Sequence, residues 1–453
     1  MADSGLTRSL RLPHATALVV GTIVGASVFV QASEVTEHAP RIWAVLLVWG
    51  VSGALTLFGA LACAELATAF PRTGGVYVFL KETYAPVVGF LWGWAMFWVM
   101  HSGIIAAMAT VFARYAGYFV PLGDRGTRAV AVAVILAISA LNYAGVKRGS
   151  TVQTIFTLGK LVAVAIVVVV GFVVGSRLPV HFQQGAAAAE ASVGPHNFLL
   201  AVIAGLFAFG GWHVVTYTAE ETVEPERTIP RALTIGIVIV TACYVALNAV
   251  YFYVLPLDRV MTSTRVAADA ATTLLGASGG AAISALVMFS VFGAMTGSIL
   301  AAPRVYFAMA KDGLLFRWVS EVHPRFRTPH RAIVLQAVWA SVLAGTGTYR
   351  QLFTRVIFTE WIFFALMAAG IFLLRRRPGY APAYRVWGFP WVPAAFVVAS
   401  ATIVVNRLVA EPIDSLSGLA LVGLGVPAFY AWRYATRRRP APTEPALARQ
   451  VSM

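Results

Sequence analysis

Four ionisable side chains lie inside long apolar stretches of the sequence, where such groups are rare and usually functional. They are Lys160, Glu360, His101 and His213. A lysine or a carboxylic acid at this depth can replace an ion, contact a substrate or carry a proton, and a histidine can also ligate a metal. Neither histidine has a second histidine at metal-ligand spacing, so the sequence predicts no metal site and no bound cofactor.

Lys160 is the most informative of the four because of its depth and its neighbours. It lies ten residues beyond Ser150, which places it about 15 Å into a hydrocarbon core about 30 Å thick. Gln153, Thr157 and Lys160 follow the spacing i, i+4, i+7, so they share one face of a helix. We therefore predict a polar stripe that faces the protein interior and contacts a partner there.

Glu360 lies eight residues past Leu352 and is the only carboxylate deep in any predicted span. It is either a neutral, hydrogen-bonded acid or a proton carrier, and we favour the structural role. An intramembrane enzyme would need a nucleophile, a metal cluster or a pair of carboxylates. Glu360 has no second carboxylate beside it and the sequence contains no His-Glu-x-x-His pattern, so an enzyme is not predicted.

Two apolar segments contain glycine pairs that weaken a helix. The first reads Gly21-Thr22-Ile23-Val24-Gly25-Ala26-Ser27, and the second reads Gly205-Leu206-Phe207-Ala208-Phe209-Gly210-Gly211-Trp212. Glycines followed by β-branched or aromatic residues favour a break at mid-depth. In lipid a break survives only where it is buried in protein or lines a wet cavity. The alternative for either glycine pair is a close-packing contact between helices.

Composition and hydropathy predict the elements that position these residues. The chain has 453 residues, of which 59% are hydrophobic and 12% charged, and its mean hydropathy of +0.77 excludes a soluble globular domain. Twelve apolar segments can be assigned: 15–36, 42–63, 86–112, 129–144, 152–174, 197–218, 231–255, 281–303, 332–348, 352–374, 388–408 and 416–434. We number them segments 1 to 12 and predict an all-α polytopic membrane protein with twelve transmembrane helices.

Basic residues between the segments predict the orientation. Both termini and the loops after even-numbered segments hold 23 lysines and arginines, whereas the opposite loops hold 10. The positive-inside rule therefore predicts cytoplasmic termini in the inner (plasma) membrane, and the net charge of +15 reflects topology and not a nucleic-acid partner. The predicted regions are an N-terminal segment (1–14), segments 1–5 (15–175), segments 6–10 (197–377), segments 11 and 12 (388–434) and a disordered tail (435–453).

The two breaks fall in segments 1 and 6, which are corresponding positions if segments 1–5 and 6–10 form two halves. Because five is an odd number, the second half would be inverted with respect to the first. Inverted repeats of this kind place two discontinuous helices around a substrate site near the membrane midplane. We predict such a 5+5 repeat from the topology and the breaks alone.

The breaks and several other blocks resemble the amino acid–polyamine–organocation superfamily, most closely its L-type amino acid transporter branch and bacterial relatives. The resemblance extends from about Ala15 to Arg377. Besides the two breaks, it depends on Ala64-Glu65-Leu66 with Gly74-Gly75, on Phe156-Thr157-Leu158-Gly159-Lys160-Leu161, on Glu220-Glu221, and on the stretch from Arg304 to His323-Pro324. The order of these blocks along the chain makes the resemblance specific.

The resemblance implies the leucine-transporter fold and alternating-access transport of a zwitterionic α-amino acid held between the breaks. N–H groups near Ala26 and Ser27 would bind the carboxylate. Carbonyl groups would bind the ammonium, and the predicted site comprises Thr22, Ile23, Gly25, Ala26, Ser27, Phe207, Ala208, Phe209 and Gly210. This chain has Gly25-Ala26-Ser27 where the family usually has Gly-Ser-Gly, and the displaced hydroxyl bears on the substrate range.

The resemblance also implies coupling and gating roles. Lys160 looks like a built-in cation that replaces the sodium bound by relatives between helices 1 and 8, close to small residues such as Ser298; a structural ammonium is the competing interpretation. Tyr244 matches a tyrosine near that lysine, and Phe207 is predicted to be a gate. Glu360 matches no coupling residue of the family and is a coupling candidate only because of its depth in segment 10.

Acidic residues at the cytoplasmic end of segment 6 could close an inner gate. The run comprises Glu220, Glu221, Glu224 and Glu226, and it is either an ordinary solvated face or a set of partners for Arg72, Lys147 or Arg231.

The predicted function is sodium-independent transport of neutral L-amino acids, as an exchanger or a proton symporter. A cationic amino acid or polyamine is the alternative substrate, but it would need an acid in the pocket, and only Glu360 offers one. A channel or an intramembrane enzyme is the alternative from another class. The predicted partners are the amino acid, the lipid bilayer and, for a symporter, protons; no obligatory protein partner is predicted.

Overall fold

The chain folds into helices. The computed structural model describes residues 6–25, 27–178, 181–183, 193–263, 266–276, 278–347, 349–410 and 412–437. Within these ranges no β-strand occurs, and β-type pairing is limited to one parallel bridge between Leu10 and Thr222. Helix continues to Arg437, into the start of the predicted disordered tail, and the rest of that tail lies outside the described residues.

Nine helices of the described chain are long and apolar enough to cross a membrane, which makes the protein a polytopic membrane protein. They are Ile42–Ala69, Pro86–Ala116, Asp124–Tyr143, Gly149–Gly175, Pro195–Glu221, Pro225–Val254, Ala281–Lys311, Trp391–Val409 and Ser415–Thr436. Three shorter apolar helices are Leu12–Ile23, Val266–Leu275 and Thr359–Leu374. Val266–Leu275 lies where the hydropathy pattern predicts only a loop.

Helices correspond to all twelve predicted segments, and most run past the predicted ends. Three segments are each formed by two helices: segment 1 by Leu12–Ile23 and Ser27–His38, segment 6 by Pro195–Ala208 and Trp212–Glu221, and segment 12 by Pro412–Gly423 and Gly425–Arg437. Segments 2 to 5 are, in order, Ile42–Ala69, Pro86–Ala116, Asp124–Tyr143 and Val146–Gly175. Segments 7 to 11 are, in order, Pro225–Val254, Ser278–Ala301, His330–Thr346, Tyr349–Leu374 and Trp391–Ala410. Hydropathy falls at polar residues, whereas backbone hydrogen bonding continues through them. Most of the predicted segments are therefore shorter than the helices.

The first helix of segment 1 lies at the centre of the bundle. It packs against segments 5, 7 and 8 and against the second part of segment 6. Leu18, Val19 and Val20 on this helix are almost completely buried. Segments 3, 4, 8 and 9 form a second core around Ile105, Ile135, Ile299 and Leu343. A helix that is buried on all sides can contain a break, because neighbouring helices satisfy its free backbone groups.

Two ion pairs, each with a buried carboxylate, join helix ends at the side that carries the basic loops. Glu221 pairs with Arg304 at 2.6 Å and both side chains are fully buried, so the partner of Glu221 is none of the three basic residues that were offered for the acidic run. Glu65, at the extended end of segment 2, accepts two hydrogen bonds from Arg375.

These pairs also show that Glu360 is not the only buried carboxylate of the described helices. The hydrogen bonds that Arg375 donates to Glu65 raise the pKa of the Arg375 guanidinium.

Candidate functional site

The predicted break in segment 1 is confirmed. The helix ends at Ile23, and the Gly25 N–H donates to the Ile23 carbonyl oxygen at 2.8 Å, a turn too tight to continue an α-helix. Helix resumes at Ser27. Ala26, where the substrate carboxylate was predicted to bind, lies outside the described residues, and the Ser27 side chain is likewise not described.

The predicted break in segment 6 is confirmed as well. The α-helix ends at Ala208, and the Phe209 and Gly210 N–H groups donate to the Leu206 and Phe207 carbonyls at 3.1 and 3.2 Å. Gly211 has a φ of +97°, a conformation that favours glycine. The chain then continues as a 3₁₀ helix, Trp212–Glu221, and not as the α-helix that the apolar pattern favours.

The two breaks contact each other directly. The Thr22 hydroxyl lies 3.2 Å from the Gly211 carbonyl oxygen, across the gap between the segments. The Tyr244 hydroxyl from segment 7 lies 3.1 Å from the Ile23 carbonyl oxygen and 3.0 Å from that of Ala208. A phenol has one proton, so it can donate fully to only one of these carbonyls at a time, and Tyr244 therefore links both breaks with a bond that can be redistributed.

Lys160 binds the backbone of segment 1 from behind the break. Its ammonium donates to the carbonyl oxygens of Gly21 at 2.9 Å and Val24 at 2.8 Å, and the side chain is 1% exposed. The Ser290 hydroxyl of segment 8 also approaches the Val24 carbonyl oxygen, at 3.4 Å. The ammonium thus lies among carbonyls of helix 1 with segment 8 beside it, in agreement with the predicted neighbourhood.

The polar stripe of segment 5 faces inward as predicted. Thr157 donates to the Ala17 carbonyl oxygen at 3.0 Å, and Gln153 reaches the same oxygen at 3.5 Å. A Cβ atom at Gly21 would lie 2.0 Å from Gln153 Nε2 and 2.3 Å from Thr157 Oγ1. Gly21 is therefore required for the close approach of segments 1 and 5.

A cavity of about 350 Å³ opens at the two breaks, a size that suits a small-molecule ligand. Among the predicted substrate-site residues it is lined by Thr22, Ile23, Gly25, Phe207 and Gly210, and among the predicted coupling residues by Ser298 and Glu360. Ala208, Phe209, Lys160 and Tyr244 do not line it. The predicted residues therefore fall into two sets: those that line the cavity, and those that contact the broken backbone away from the cavity.

Phe209 illustrates the second set. Its ring is buried and packs between Trp49 and Tyr244, with ring centroids 6.5 and 5.0 Å away. Three of the carbonyls predicted to bind the ammonium already face a hydrogen-bond donor: those of Ile23 and Ala208 share the Tyr244 hydroxyl, and that of Phe207 accepts from the Gly210 N–H. The Phe207 and Ala208 oxygens each keep a second lone pair for a ligand, whereas the Ile23 oxygen also accepts from the Gly25 N–H.

A polar cluster of His101, His213 and Glu360 lies in the wall of the same cavity. One ligand-type atom from each residue falls within 4.8 Å of the others, and His213 Nε2 is 3.5 Å from Glu360 Oε1. The three residues come from segments 3, 6 and 10. Neither histidine has a second histidine at metal-ligand spacing along the sequence, but the packing of these segments brings His101, His213 and Glu360 together.

Two imidazoles and a carboxylate are also donors that zinc accepts, and no other group of three such residues occurs in the described chain. Sequence spacing could not predict this cluster because its members lie on different helices. The signal that was present is weaker: each is a polar residue in an apolar segment, and buried polar residues need partners.

Residues 10–426 of the chain match the amino acid permease family. The chain is 33% identical to the serine/threonine exchanger SteT of Bacillus subtilis (strain 168) over 437 residues, which is 95% of this chain and 98% of that protein. It is 30% identical to the human b(0,+)-type amino acid transporter 1 over 95% of this chain and 90% of that protein. It is also 30% identical to the human large neutral amino acids transporter small subunit 2, over 95% and 81% of the respective chains.

Proposed function

The chain belongs to the amino acid permease family and transports amino acids, and from this premise we propose that it exchanges neutral L-amino acids by alternating access without sodium. Exchange is the favoured mode because the Bacillus subtilis relative is a serine/threonine exchanger; proton symport is the alternative. The observation that carries the proposal is the close approach of the two broken segments, with Thr22 Oγ1 3.2 Å from the Gly211 carbonyl oxygen, beside a cavity that both of them line.

We propose that the substrate binds as a zwitterion at the breaks. Its carboxylate would accept from N–H groups at the start of the helix Ser27–His38, where the helix dipole favours an anion. Its ammonium would use the second lone pairs of carbonyls in both breaks. Lys160 would supply a fixed positive charge behind segment 1, so that a sodium ion is not needed.

This proposal includes a leucine-transporter fold with twelve spans, a 5+5 inverted repeat and both termini in the cytoplasm of a plasma-membrane protein. It includes no obligatory protein partner. A cationic amino acid is the second candidate substrate, and the position of Glu360 in the cavity wall is the observation that favours it. The proximity of His213 to that carboxylate favours a neutral site.

Counterflow in liposomes reconstituted with the purified protein tests the proposal. We expect saturable uptake of a labelled amino acid that depends on internal amino acid and continues when sodium is replaced by choline. The amine that corresponds to a good substrate, without the carboxylate, should not compete. Equal competition by the amine, loss of counterflow without sodium, or unsaturable flux would contradict the binding mode, the ion independence or the carrier mechanism respectively.

A further inference from the structure

The His101–His213–Glu360 cluster faces the part of the cavity that lies beyond the two breaks. Glu360 and His213 line the cavity together with Thr22 and Gly211, so a ligand held at the breaks occupies the same space as the cluster. If the α-amino and α-carboxylate groups bind the broken backbone, the side chain is the part of the substrate that remains to fill this space. This step depends on the function proposed above.

The cluster has hydrogen-bonding capacity that the described protein does not use. Both ring nitrogens of His213 and Nδ1 of His101 are buried without a hydrogen-bond partner among the described residues. The Glu360 carboxyl group makes no hydrogen bond to any described residue. Its nearest polar contact is His213 Nε2, at 3.5 Å from Oε1. Buried polar groups left unpaired are destabilising, so a polar partner from outside the protein would satisfy them.

The surroundings of the cluster offer little else that is polar. Trp92, Trp212 and Phe364 surround the His213 ring with centroids at 5.8, 5.5 and 4.8 Å. Tyr217, at 5.5 Å from that ring, also has a buried hydroxyl without a hydrogen-bond partner in the described chain. In such an apolar wall, a hydrogen bond to a ligand discriminates strongly, because water cannot easily replace it.

All three residues of the cluster line the cavity, and Glu360 is the most exposed of them. Its side chain is 10% exposed, whereas that of His213 is 1% exposed. Glu360 is therefore placed to contact the ligand, and His213 lies behind it as a positioning residue. A neutral imidazole offers one donor and one acceptor, and a protonated carboxyl group offers both as well.

We propose that this cluster binds the end of the substrate side chain and selects neutral amino acids whose side chain has a hydroxyl or carboxamide group. These groups both donate and accept hydrogen bonds, as the cluster requires. An apolar side chain of the same shape would leave the cluster unpaired. A side-chain ammonium only donates, so it would leave the donor groups of the neutral imidazoles and of a protonated Glu360 carboxyl group unpaired.

Pairs of amino acids with the same shape and different polarity test the proposal. In counterflow competition with the reconstituted protein, threonine should bind about 10- to 100-fold more tightly than valine, and asparagine should bind more tightly than leucine by a similar factor, which reflects one buried polar group left unsatisfied. Glu360→Gln should retain most of this preference because the amide still forms hydrogen bonds. Glu360→Met should reduce both ratios to near one.

A matched control is available in segment 9. Gln336 is buried, and both polar atoms of its amide lack a hydrogen-bond partner in the described chain, but it does not line the cavity. Gln336→Met therefore removes a comparable buried polar group and should leave the threonine-to-valine ratio unchanged. Thermal unfolding of each variant in detergent reports whether the protein remains folded.

Several results would overturn the proposal. Equal affinity for threonine and valine in the wild type, or an unchanged ratio in a folded Glu360→Met protein, would show that the cluster does not read the side chain. Tight competition by lysine that disappears in Glu360→Gln would assign a cationic substrate instead. Inhibition by micromolar Zn²⁺ that the same variant abolishes would assign the cluster to a metal. Failure of the function proposed above is recognised separately, by competition from amines without a carboxylate.

Discussion

Lys160 shows how one residue can satisfy a break in a membrane helix. A helix that stops at mid-depth leaves carbonyl groups without partners, and in hydrocarbon each is destabilising. The ammonium donates to two of these carbonyls, and they in turn stabilise its charge. Because the lysine is covalently fixed in segment 5, its contacts must loosen or move whenever segment 1 moves relative to that segment.

This coupling makes Lys160→Ala the first test at the residue scale. We expect the exchange rate to fall by about 10- to 100-fold, the factor that corresponds to losing hydrogen bonds from a charged donor, while substrate affinity changes much less. Measurements of affinity and counterflow should be made with and without sodium. The isosteric Thr157→Val variant removes a neutral contact to the same helix and should have a smaller effect; a Lys160→Ala protein that exchanges normally would refute the role.

Phe207 is the second residue that the cavity singles out. Its ring lines the cavity, and the Arg407 guanidinium carbon lies 5.5 Å from the ring centroid. We expect Phe207→Ala to slow exchange or to make the liposomes leaky to substrate, because the aromatic cover over the substrate is lost. The unfolding temperature should change little, since the side chain is only partly buried.

Phe209→Ala is the matched control for this prediction. That ring is buried between Trp49 and Tyr244, so its removal should lower the unfolding free energy by about 3–5 kcal/mol. Phe207 would lose its assigned role if Phe207→Ala transported with unchanged rate and KM. It would also lose it if both variants were equally destabilised.

The sequence predicted which face of its helix Lys160 occupies, but it did not predict which polar residues meet in the folded protein. The depth of Lys160 and the spacing of its stripe predicted an inward-facing ammonium, because helical periodicity fixes the face. The convergence of His101, His213 and Glu360 has no counterpart in sequence spacing, since it depends on how segments 3, 6 and 10 pack. The Glu221–Arg304 pair was missed for the same reason.

At the scale of elements, the two breaks form one unit held together by segment 7. Glycine content predicted the position of each break within one or two residues. It did not predict the left-handed Gly211 or the 3₁₀ helix that follows, because the apolar pattern of Trp212–Glu221 suits an α-helix equally well. The Tyr244 hydroxyl lies within hydrogen-bond distance of a carbonyl oxygen in each break, and we predict that movement of one break affects the other through this contact.

Tyr244→Phe tests this link with the removal of one oxygen atom. We expect a loss of about 1 kcal/mol of stability, typical of one neutral hydrogen bond, together with slower counterflow. Tyr251 lies on the same helix and is equally buried, but its hydroxyl has no hydrogen-bond partner among the described residues. Tyr251→Phe should therefore leave both quantities unchanged, and equal behaviour of the two variants would argue against a specific role for Tyr244.

At the scale of the whole molecule, the N-terminal segment and the loops after even-numbered segments contact one another at one end of the bundle. Such contacts are expected if an even number of spans separates each of these regions from the next. Ser9 and Leu10 hydrogen-bond to the Glu221 carbonyl at the end of segment 6, and Glu221 pairs with Arg304 at the end of segment 8. Trp432 in segment 12 donates to the Gly313 carbonyl oxygen at 2.8 Å. The first and last described segments therefore meet the same end of the bundle.

That end also receives the loops after segments 2 and 10. Lys81 pairs with Asp312 at 2.6 Å, and Arg377 donates to the Glu82 carbonyl oxygen at 2.8 Å. All of these loops belong to the set that holds 23 of the 34 basic residues. The positive-inside rule predicts that such an end is cytoplasmic, and this prediction needs only hydropathy and charge and no tertiary contact.

Site-directed labelling tests this orientation in intact cells. After Cys63→Ala and Cys243→Ala, single cysteines would be introduced by Val120→Cys, between segments 3 and 4, and by Arg317→Cys, between segments 8 and 9; both positions are exposed. A membrane-impermeant maleimide should label the first variant directly and the second only after permeabilisation, because an odd number of spans separates the two loops. The reverse pattern would invert the orientation, and labelling of both from outside would require a different number of spans between them.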